Sequence, residues 1–375
     1  LEKEGKEMIR YEHVTKIFPG SKIPAVNDLA MEVEDGEICI LVGPSGCGKT
    51  TTMKMANRLI EPTSGKIYIN GMDNQEIDPI KLRLNIGYVI QEIGLFPHMT
   101  IAENIATVLV EKKWKKEDIA KRVDELLNLM GLDPKIYRNR RPSDLSGGQQ
   151  QRVGVARALA SNPPIMLMDE PFGAVDPITR ARLQNEFLRL QEQMRKTIIF
   201  VTHDIDEAIK MGDKIAVMRQ GKLVQFATPD ELLRMPADEF VAKLVGGNRS
   251  IKRLHLIRVE DTELRPLPQL KRSSKREEAR QKVENNPLNL AAVVDERGRL
   301  IGLVGRSELK AKGYTVDDFY TPIQDYVDLN STLSDTLSIM LGNGDGYAIV
   351  ADEKKSPIGV ITIDDIFAAV KSDAA

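Results

Sequence analysis

The stretch "GPSGCGKT", Gly43 to Thr50, decides how this chain is read. It follows the apolar run Ile38 to Val42 and precedes "TTMKMANRLI", which reads as a helix. Strand, glycine-rich loop and helix in that order make a phosphate cradle. Glycines let backbone N–H groups converge on phosphate oxygens, and the helix N-terminus adds positive potential. Lys49 then neutralises the β- and γ-phosphates of a nucleoside triphosphate, and Thr50 offers its hydroxyl to Mg²⁺. The remaining candidate contacts are Gly43, Pro44, Ser45, Gly46, Cys47, Gly48 and Thr51.

Three further pieces belong with the loop. In "IMLMDEP", Ile165 to Pro171, an apolar strand ends in two acids. Asp169 is placed to bind the loop's Mg²⁺ through water, and Glu170 to polarise an attacking water. His203 closes the apolar run "TIIFVTH", at the strand edge where parallel sheets bind ligands. Gln91 follows another apolar run in "YVIQEIGLFPHMT", and its amide is within reach of Mg²⁺ or the attacking water. A second glycine turn, "LSGGQQQR" at Leu145 to Arg152, forms an anion site from the N–H groups of Gly147 and Gly148, the Ser146 hydroxyl and the following helix N-terminus.

The chain of 375 residues, 42% hydrophobic and 29% charged, has the composition of two or three ordinary globular domains. Its net charge of −2 gives no global pull toward nucleic acid or membrane. No run approaches the roughly 18 to 20 apolar residues of a membrane span, and "LEKEGKEMIR" lacks the apolar core of a signal peptide. Cys39 and Cys47 have no partner at metal spacing and read as reduced thiols.

From Ile9 to about Pro236, apolar runs alternate with longer amphipathic stretches, an α/β pattern with crossover helices. "PIMLMDE" and "TIIFVTH" read as buried parallel strands, because both faces are apolar. Beyond that region the charge separates: residues 249–282 hold eleven Lys/Arg against five Asp/Glu, and residues 313–375 three against eleven. "LAAVVDERGRLIGLVGRSEL" (Leu290 to Leu309) aligns without gaps on "YAIVADEKKSPIGVITIDDI" (Tyr347 to Ile366), with six of twenty positions identical. Two such copies predict one pseudo-symmetric module in which each buries the other's apolar face. The helix before the first copy keeps only Ala279 and Val283 apolar, whereas its counterpart has Leu333, Leu337, Met340 and Leu341.

The order of the phosphate loop, "YVIQ", "LSGGQQQR", "IMLMDEP", "GAVD" and "FVTHD" resembles the ABC-type ATPases over about Ile9 to Pro236. The resemblance implies a RecA-like core with an antiparallel β subdomain and a helical subdomain, binding ATP and Mg²⁺. It makes Phe18 the aromatic that stacks on adenine, Gln91 the Q-loop residue, Asp176 the D-loop acid, Glu170 the catalytic carboxylate and His203 the switch histidine. It also implies a homodimer, in which Ser146, Gly147 and Gly148 of one chain cover the γ-phosphate held by the other.

"NRLIEPTSGKIYING", "IGYVIQEIGLFPHMTI" and "DEPFGAVDPITR" resemble more closely the importer ATPases for glycine betaine, carnitine and choline. That implies membrane permease subunits met through the segment after Gln91, a substrate-binding protein, no nucleic acid, and the cytoplasmic face of a bacterial membrane. A related small betaine such as ergothioneine is the alternative cargo. A soluble ATPase of DNA repair or translation is the remote alternative, since the chain has one cassette and no zinc spacing.

The duplicated module resembles a tandem pair of CBS domains. The expected layout is ATPase at 9–236, linker at 237–254 and CBS module at 255–375, with copies at about 255–312 and 313–372. "GVITIDD" keeps a ribose-contact pattern through Thr362 and Asp365, whereas the first copy has Gly305 and Glu308 at the matching places. The module then senses either cyclic di-AMP at Thr362 and Asp365 or ionic strength through its basic stretch.

Overall fold

The computed structural model describes residues 7–91, 94–173, 175–323 and 325–371. The start of "LEKEGKEMIR", Glu92 and Ile93 after the Q-loop glutamine, Ala174 of "GAVD" and the end of the second copy lie outside these. The chain divides into two compact units between Gly247 and Asn248.

The first unit runs β1 (Glu7–Lys16), β2 (Val26–Glu34), β3 (Ile38–Val42), α1 (Lys49–Ala56), β4 (Ser64–Ile69), β5 (Met72–Asp73), α2 (Pro79–Leu84) and β6 (Ile86–Val89). A helical stretch follows: α3 (Ile101–Glu111), α4 (Lys116–Leu129), α5 (Pro134–Tyr137) and α6 (Gly147–Leu159). The chain then returns through β7 (Ile165–Asp169), α7 (Pro177–Met194), β8 (Thr197–Thr202), α8 (Ile205–Met211), β9 (Lys214–Arg219), β10 (Lys222–Ala227), α9 (Pro229–Arg234) and α10 (Glu239–Val245). Part of the stretch expected as linker is therefore helix α10, which packs on α8 and α9.

Two sheets share the core. One is antiparallel, in the order β2-β1-β4-β5; the other runs β10-β9-β3-β8-β7-β6 and is parallel from β9 to β6. Strands β7 and β8 are buried at every position, as their unbroken apolar runs predict. Strand β2 buries alternate residues, because only one of its faces meets the core. Helix α1 supplies the core with Met53 and Met55, both fully buried among residues of the two sheets, and the Tyr11 hydroxyl donates to the Thr52 carbonyl at 3.1 Å. Fully burying such side chains contributes about 1.5–3 kcal/mol each, so the phosphate loop stands on a helix anchored in the core.

The second unit contains α11 (Arg249–Arg253), β11 (Gln269–Lys271), α12 (Arg276–Asn285), β12 (Leu290–Val294), β13 (Leu300–Gly305), β14 (Thr321–Pro322), α13 (Leu333–Asn343), β15 (Tyr347–Ala351), β16 (Pro357–Thr362) and α14 (Ile363–Lys371). Its pseudo-symmetry extends well beyond the twenty aligned positions. Lys275 bridges to Thr315, and Arg258 bridges to Thr332, each pair being the other shifted by the repeat and exchanged between copies. In the same way Val259 N–H donates to the Ser331 carbonyl, and Val316 N–H to that of Ser274, both at 2.9 Å. Each copy thus starts with a segment docked on its twin. Leu267, Leu290, Ala292 and Leu300 of the first copy pack with Ile349 and Val360 of the second, the mutual burial that the repeat predicts. Ala279 and Val283 are fully buried, so two small contacts suffice for α12. Of the four apolar residues named for α13, Leu333 and Met340 are fully buried and Leu337 packs on the core, whereas Leu341 is 71% exposed.

The exchange places Arg265 beside Val360, with backbone bonds of 2.9 and 3.0 Å in both directions. From there its guanidinium clamps Asp365, Nε reaching Oδ2 at 2.9 Å and Nη2 reaching Oδ1 at 2.8 Å. Burial pushes the Asp365 carboxyl up, but Arg265 and Thr362 outweigh it and hold the group below its ordinary value. A depressed carboxylate stabilises the fold above its unfolded pKa and loses that contribution as pH falls through the folded one. Arg265→Ala is expected to lower the melting temperature of the second unit at pH 7, the gap closing in acid; thermal melts from pH 7 to pH 3 check this.

Candidate active site

The phosphate loop is shaped by backbone contacts that exclude side chains. Gly43 has φ +150° and Gly48 φ +109°; a Cβ on Gly43 would lie 2.1 Å from the Met218 carbonyl, and one on Gly48 2.4 Å from that of Ala25. Met218 ends near the Gln220–Gly221 hairpin, whose Gly221 N–H donates to the Cys47 carbonyl at 3.0 Å. Ala25 closes the loop between β1 and β2, and that loop carries Phe18, 40% exposed with Lys16 Nζ 5.3 Å from its ring centre. The loop that carries the aromatic and the phosphate cradle thus come into close backbone approach at Ala25 and Gly48.

Helix α1 begins at Gly48 with no side chain capping its first turn, unlike α3, α6 and α9, each closed by a capping box. Its first-turn N–H groups lack partners within the helix. Lys49 is 6% exposed, donates to the carbonyls of Gly43 (2.6 Å) and Pro44 (3.1 Å), and forms no ion pair among the described residues. A buried cation whose partners are two carbonyls and a thiol sulfur, with no carboxylate among the described residues, suits a polyphosphate at the first-turn N–H groups. Pro44, Ser45 and Gly46 are exposed at the tip of the loop, and Thr51 is half-buried in the first turn of α1. Cys47 is buried, and burial pushes its thiol up although Lys49 lies 3.8 Å from the sulfur. It is therefore a packed thiol rather than a reactive one.

Thr50 donates to Asp169 Oδ1 at 3.0 Å, joining the loop to the end of β7. Burial pushes the Asp169 carboxyl up, against the lowering by Thr50, Lys54 and Lys49. A hydroxyl and a buried carboxylate short of positive charge fit Mg²⁺, which takes one or two protein oxygens and completes its shell with phosphates and water. No cluster of three or more metal-ligating side chains exists among the described residues, as that mode of binding allows.

Glu170 follows with φ +46°, a left-handed backbone held by its N–H donating to the Val201 carbonyl at 2.9 Å. Such a conformation is costly for a side chain other than glycine and concentrates at functional sites. Gln91 Nε2 donates to Glu170 Oε2 at 3.3 Å, and His203 Nδ1 donates to Glu170 Oε1 at 3.2 Å. The ends of β6, β7 and β8 therefore bring Gln91, Glu170 and His203 to one point. His203 is kept there by a tight turn, in which the Thr202 hydroxyl accepts from Asp204 N–H at 3.1 Å and Asp204 caps α8. Tyr88 is an addition that the sequence reading did not single out. Burial and the Asp169 charge push its phenol up to about 12.

Ser146 caps α6, accepting from Gln149 N–H at 3.3 Å, and is exposed with Gly147. Among the described residues no hydrogen bond joins this turn to the phosphate loop. Gly148 is half-buried, facing Val175 and Thr179. Asp176 caps α7, where the Thr179 N–H and hydroxyl hold its carboxyl below the ordinary value.

A groove of about 430 Å³ opens beside this site, with Tyr88, Ile90, Phe96, Val108 and Arg157 among its walls. Asn104 is fully buried below it. Its amide accepts from Phe96 N–H at 2.7 Å and donates to the carbonyls of Phe96, Met99 and Thr100. Arg157 donates to the Gly94 carbonyl at 2.7 Å. The segment from Gly94 to Thr100 is thus tied to Asn104 and Arg157 while Phe96 stays 42% exposed.

In the second unit, Thr362 and Asp365 close the first turn of α14, with Thr362 Oγ1 donating to Asp365 Oδ2 at 2.6 Å. Asp365, expected to contact a ribose, is paired with Arg265.

A family model described as ABC transporter matches residues 26–173, and one described as CBS domain matches residues 316–372. The osmoprotectant import ATP-binding protein OsmV of Salmonella typhimurium is 45% identical over 361 residues, covering 95% of this chain and 94% of that protein. The glycine betaine/carnitine/choline transport ATP-binding protein OpuCA of Bacillus subtilis is 46% identical over 359 residues, with the same coverage. The dimeric structure of the cassette MJ0796 matches with a TM-score of 0.55 and 35% identity, over 59% of this chain and 99% of that one. The chain belongs to the ATP-binding subunits of ABC transporters, in the family that includes OsmV and OpuCA, and is an ATPase coupled to transmembrane transport.

Proposed function

We propose that the chain energises import of quaternary-ammonium solutes, the class of glycine betaine, carnitine and choline. The observation that carries the enzymatic part is the placing of Glu170 between Gln91 and His203, one residue from the Asp169–Thr50 bond. Lys49, Thr50 and Asp169 hold the nucleotide and Mg²⁺; the metal supplies charge neutralisation at the phosphates. Glu170 orients and deprotonates the attacking water, Gln91 and His203 fix its carboxylate, and Phe18 takes the adenine ring. Ser146 and Gly148 serve the nucleotide of a second copy: Ser146 and Gly147 are exposed, and no hydrogen bond among the described residues joins their turn to the phosphate loop.

The groove at Phe96 receives a permease segment, since a preformed, partly apolar recess beside Gln91 can pass a displacement directly to Glu170. No helix among the described residues is long and apolar enough to cross a membrane. The relatives are import or transport ATP-binding proteins, and on that ground the subunit is placed at the cytoplasmic face, attached through the permease. The cargo rests on the names of the relatives at 44–46% identity. Uptake of labelled glycine betaine, carnitine and choline into cells carrying the chain with its neighbouring permease tests the reading. At least one should accumulate, and Glu170→Gln should abolish it. ATP hydrolysis by the intact complex without uptake of any of the three would overturn the assignment.

A further inference from the structure

The repeat lets one half of the second unit be compared with the other. Strand β16 pairs with Arg265 at Val360, and β13 pairs with Thr321 at Leu303, the residue one repeat before Val360. By strand pairing, one residue away from the Pro322 that the repeat shift gives, Thr321 therefore stands where Arg265 stands in the twin. Glu308 likewise stands where Asp365 does, with Gly305 in the place of Thr362. The correspondence holds at the level of bonds: Arg265 clamps Asp365, and Thr321 Oγ1 donates to Glu308 Oε1 at 3.2 Å. What differs is charge and size. One carboxylate has a guanidinium of the chain seated on it; the other has a short hydroxyl and no ion pair among the described residues.

Space accompanies the missing cation. A cleft of about 620 Å³ lies at Glu308, with Arg306, Thr321, Asp325, Asp345 and Tyr347 among its walls. Burial works to raise the Glu308 carboxyl, but the Ser307 hydroxyl, the Gly305 N–H and Thr321 hold it below its ordinary value, so it is anionic at neutral pH. Asp325 and Asp345 add negative charge against one arginine. Half-buried Tyr347 offers the edge or face of an aromatic ring, and its phenol feels both Asp345 and Glu308. A phosphate would meet repulsion here, whereas a compact cation would find a half-buried carboxylate and an aromatic neighbour.

We propose that this cleft binds a small organic cation, a guanidinium or alkylammonium group occupying against Glu308 the place that Arg265 fills against Asp365. The first copy is then not a decayed nucleotide site but a cation site, and its twin carries its own internal occupant. The binding is independent of the cargo assignment. Only the further step, that a cationic cargo reports its own accumulation through the cleft, rests on the transport reading.

The test uses the full chain and isothermal titration with methylguanidinium chloride and choline chloride, against sodium chloride at equal ionic strength and AMP as the anionic control. Saturable binding of at least one cation is expected, weakened at least tenfold by Glu308→Gln. Thr321→Arg transplants the guanidinium of the twin and is expected to abolish binding while keeping or raising the melting temperature. A stronger response to methylguanidinium places the affinity at the Glu308 carboxylate; a stronger response to choline places it at Tyr347. ATP binding, measured in parallel, should be unchanged in both variants. Absence of cation binding above the sodium control, binding that survives both substitutions, or AMP binding lost on Glu308→Gln would overturn the proposal.

Discussion

Glu170→Gln is expected to lower the ATP turnover number by about 10²–10⁴-fold, the range for loss of a positioned general base. Affinity for ATP should stay nearly constant, because the amide keeps the shape of the side chain and Glu170 lies beyond the residues that hold the phosphates. The left-handed backbone at this position, φ +46°, is fixed by the bond to Val201 and not by the carboxylate, so the fold tolerates the change. Steady-state hydrolysis together with nucleotide binding separates the two effects: a loss in kcat without a rise in Kd marks an interaction made only during reaction. A parallel loss of binding would place Glu170 in the cradle instead.

Lys49→Ala should do the reverse and weaken ATP binding by about 10²-fold, a loss of two charge-assisted bonds of about 1.5 kcal/mol each. The lysine is buried, and its partners among the described residues are two carbonyls of its own loop and the Cys47 sulfur at 3.8 Å. Those carbonyls leave the ammonium charge uncompensated, which is the reason to expect that a phosphate, and not the fold, is its main partner. Thermal stability without nucleotide should change little. Stabilisation by added ATP, large in the parent chain by mass action, should nearly vanish.

The sequence made the first unit legible because its chemistry sits on strong local signals. Buried runs such as Ile165–Asp169 and Thr197–Thr202 have one good interpretation, and each ends at a site residue. Gln91, Glu170 and His203 are far apart in the chain, yet a parallel sheet has to deliver its strand ends to one edge. Asn104 gave no such signal, since a buried asparagine inside a helix becomes meaningful only when its four partners are known. Arg265 was missed for a related reason. It lies a hundred residues from Asp365, in a segment without a motif, and meets it only because the two copies exchange their leading segments. The repeat offset did contain that information, carried from the aligned strands back to Val259 and Val316, where it reaches the paired bridges.

The central claim is that two chains complete each ATP site, one supplying Lys49 and the other Ser146. Mixing a Lys49→Ala chain with a Ser146→Arg chain tests it most directly. Each variant alone should be inactive, because every site in its dimer lacks one half. Random mixing should restore about a quarter of the parent ATPase activity, since about half of the dimers are mixed and each has one whole site. No recovery on mixing, or full activity of the Ser146→Arg chain alone, would contradict it.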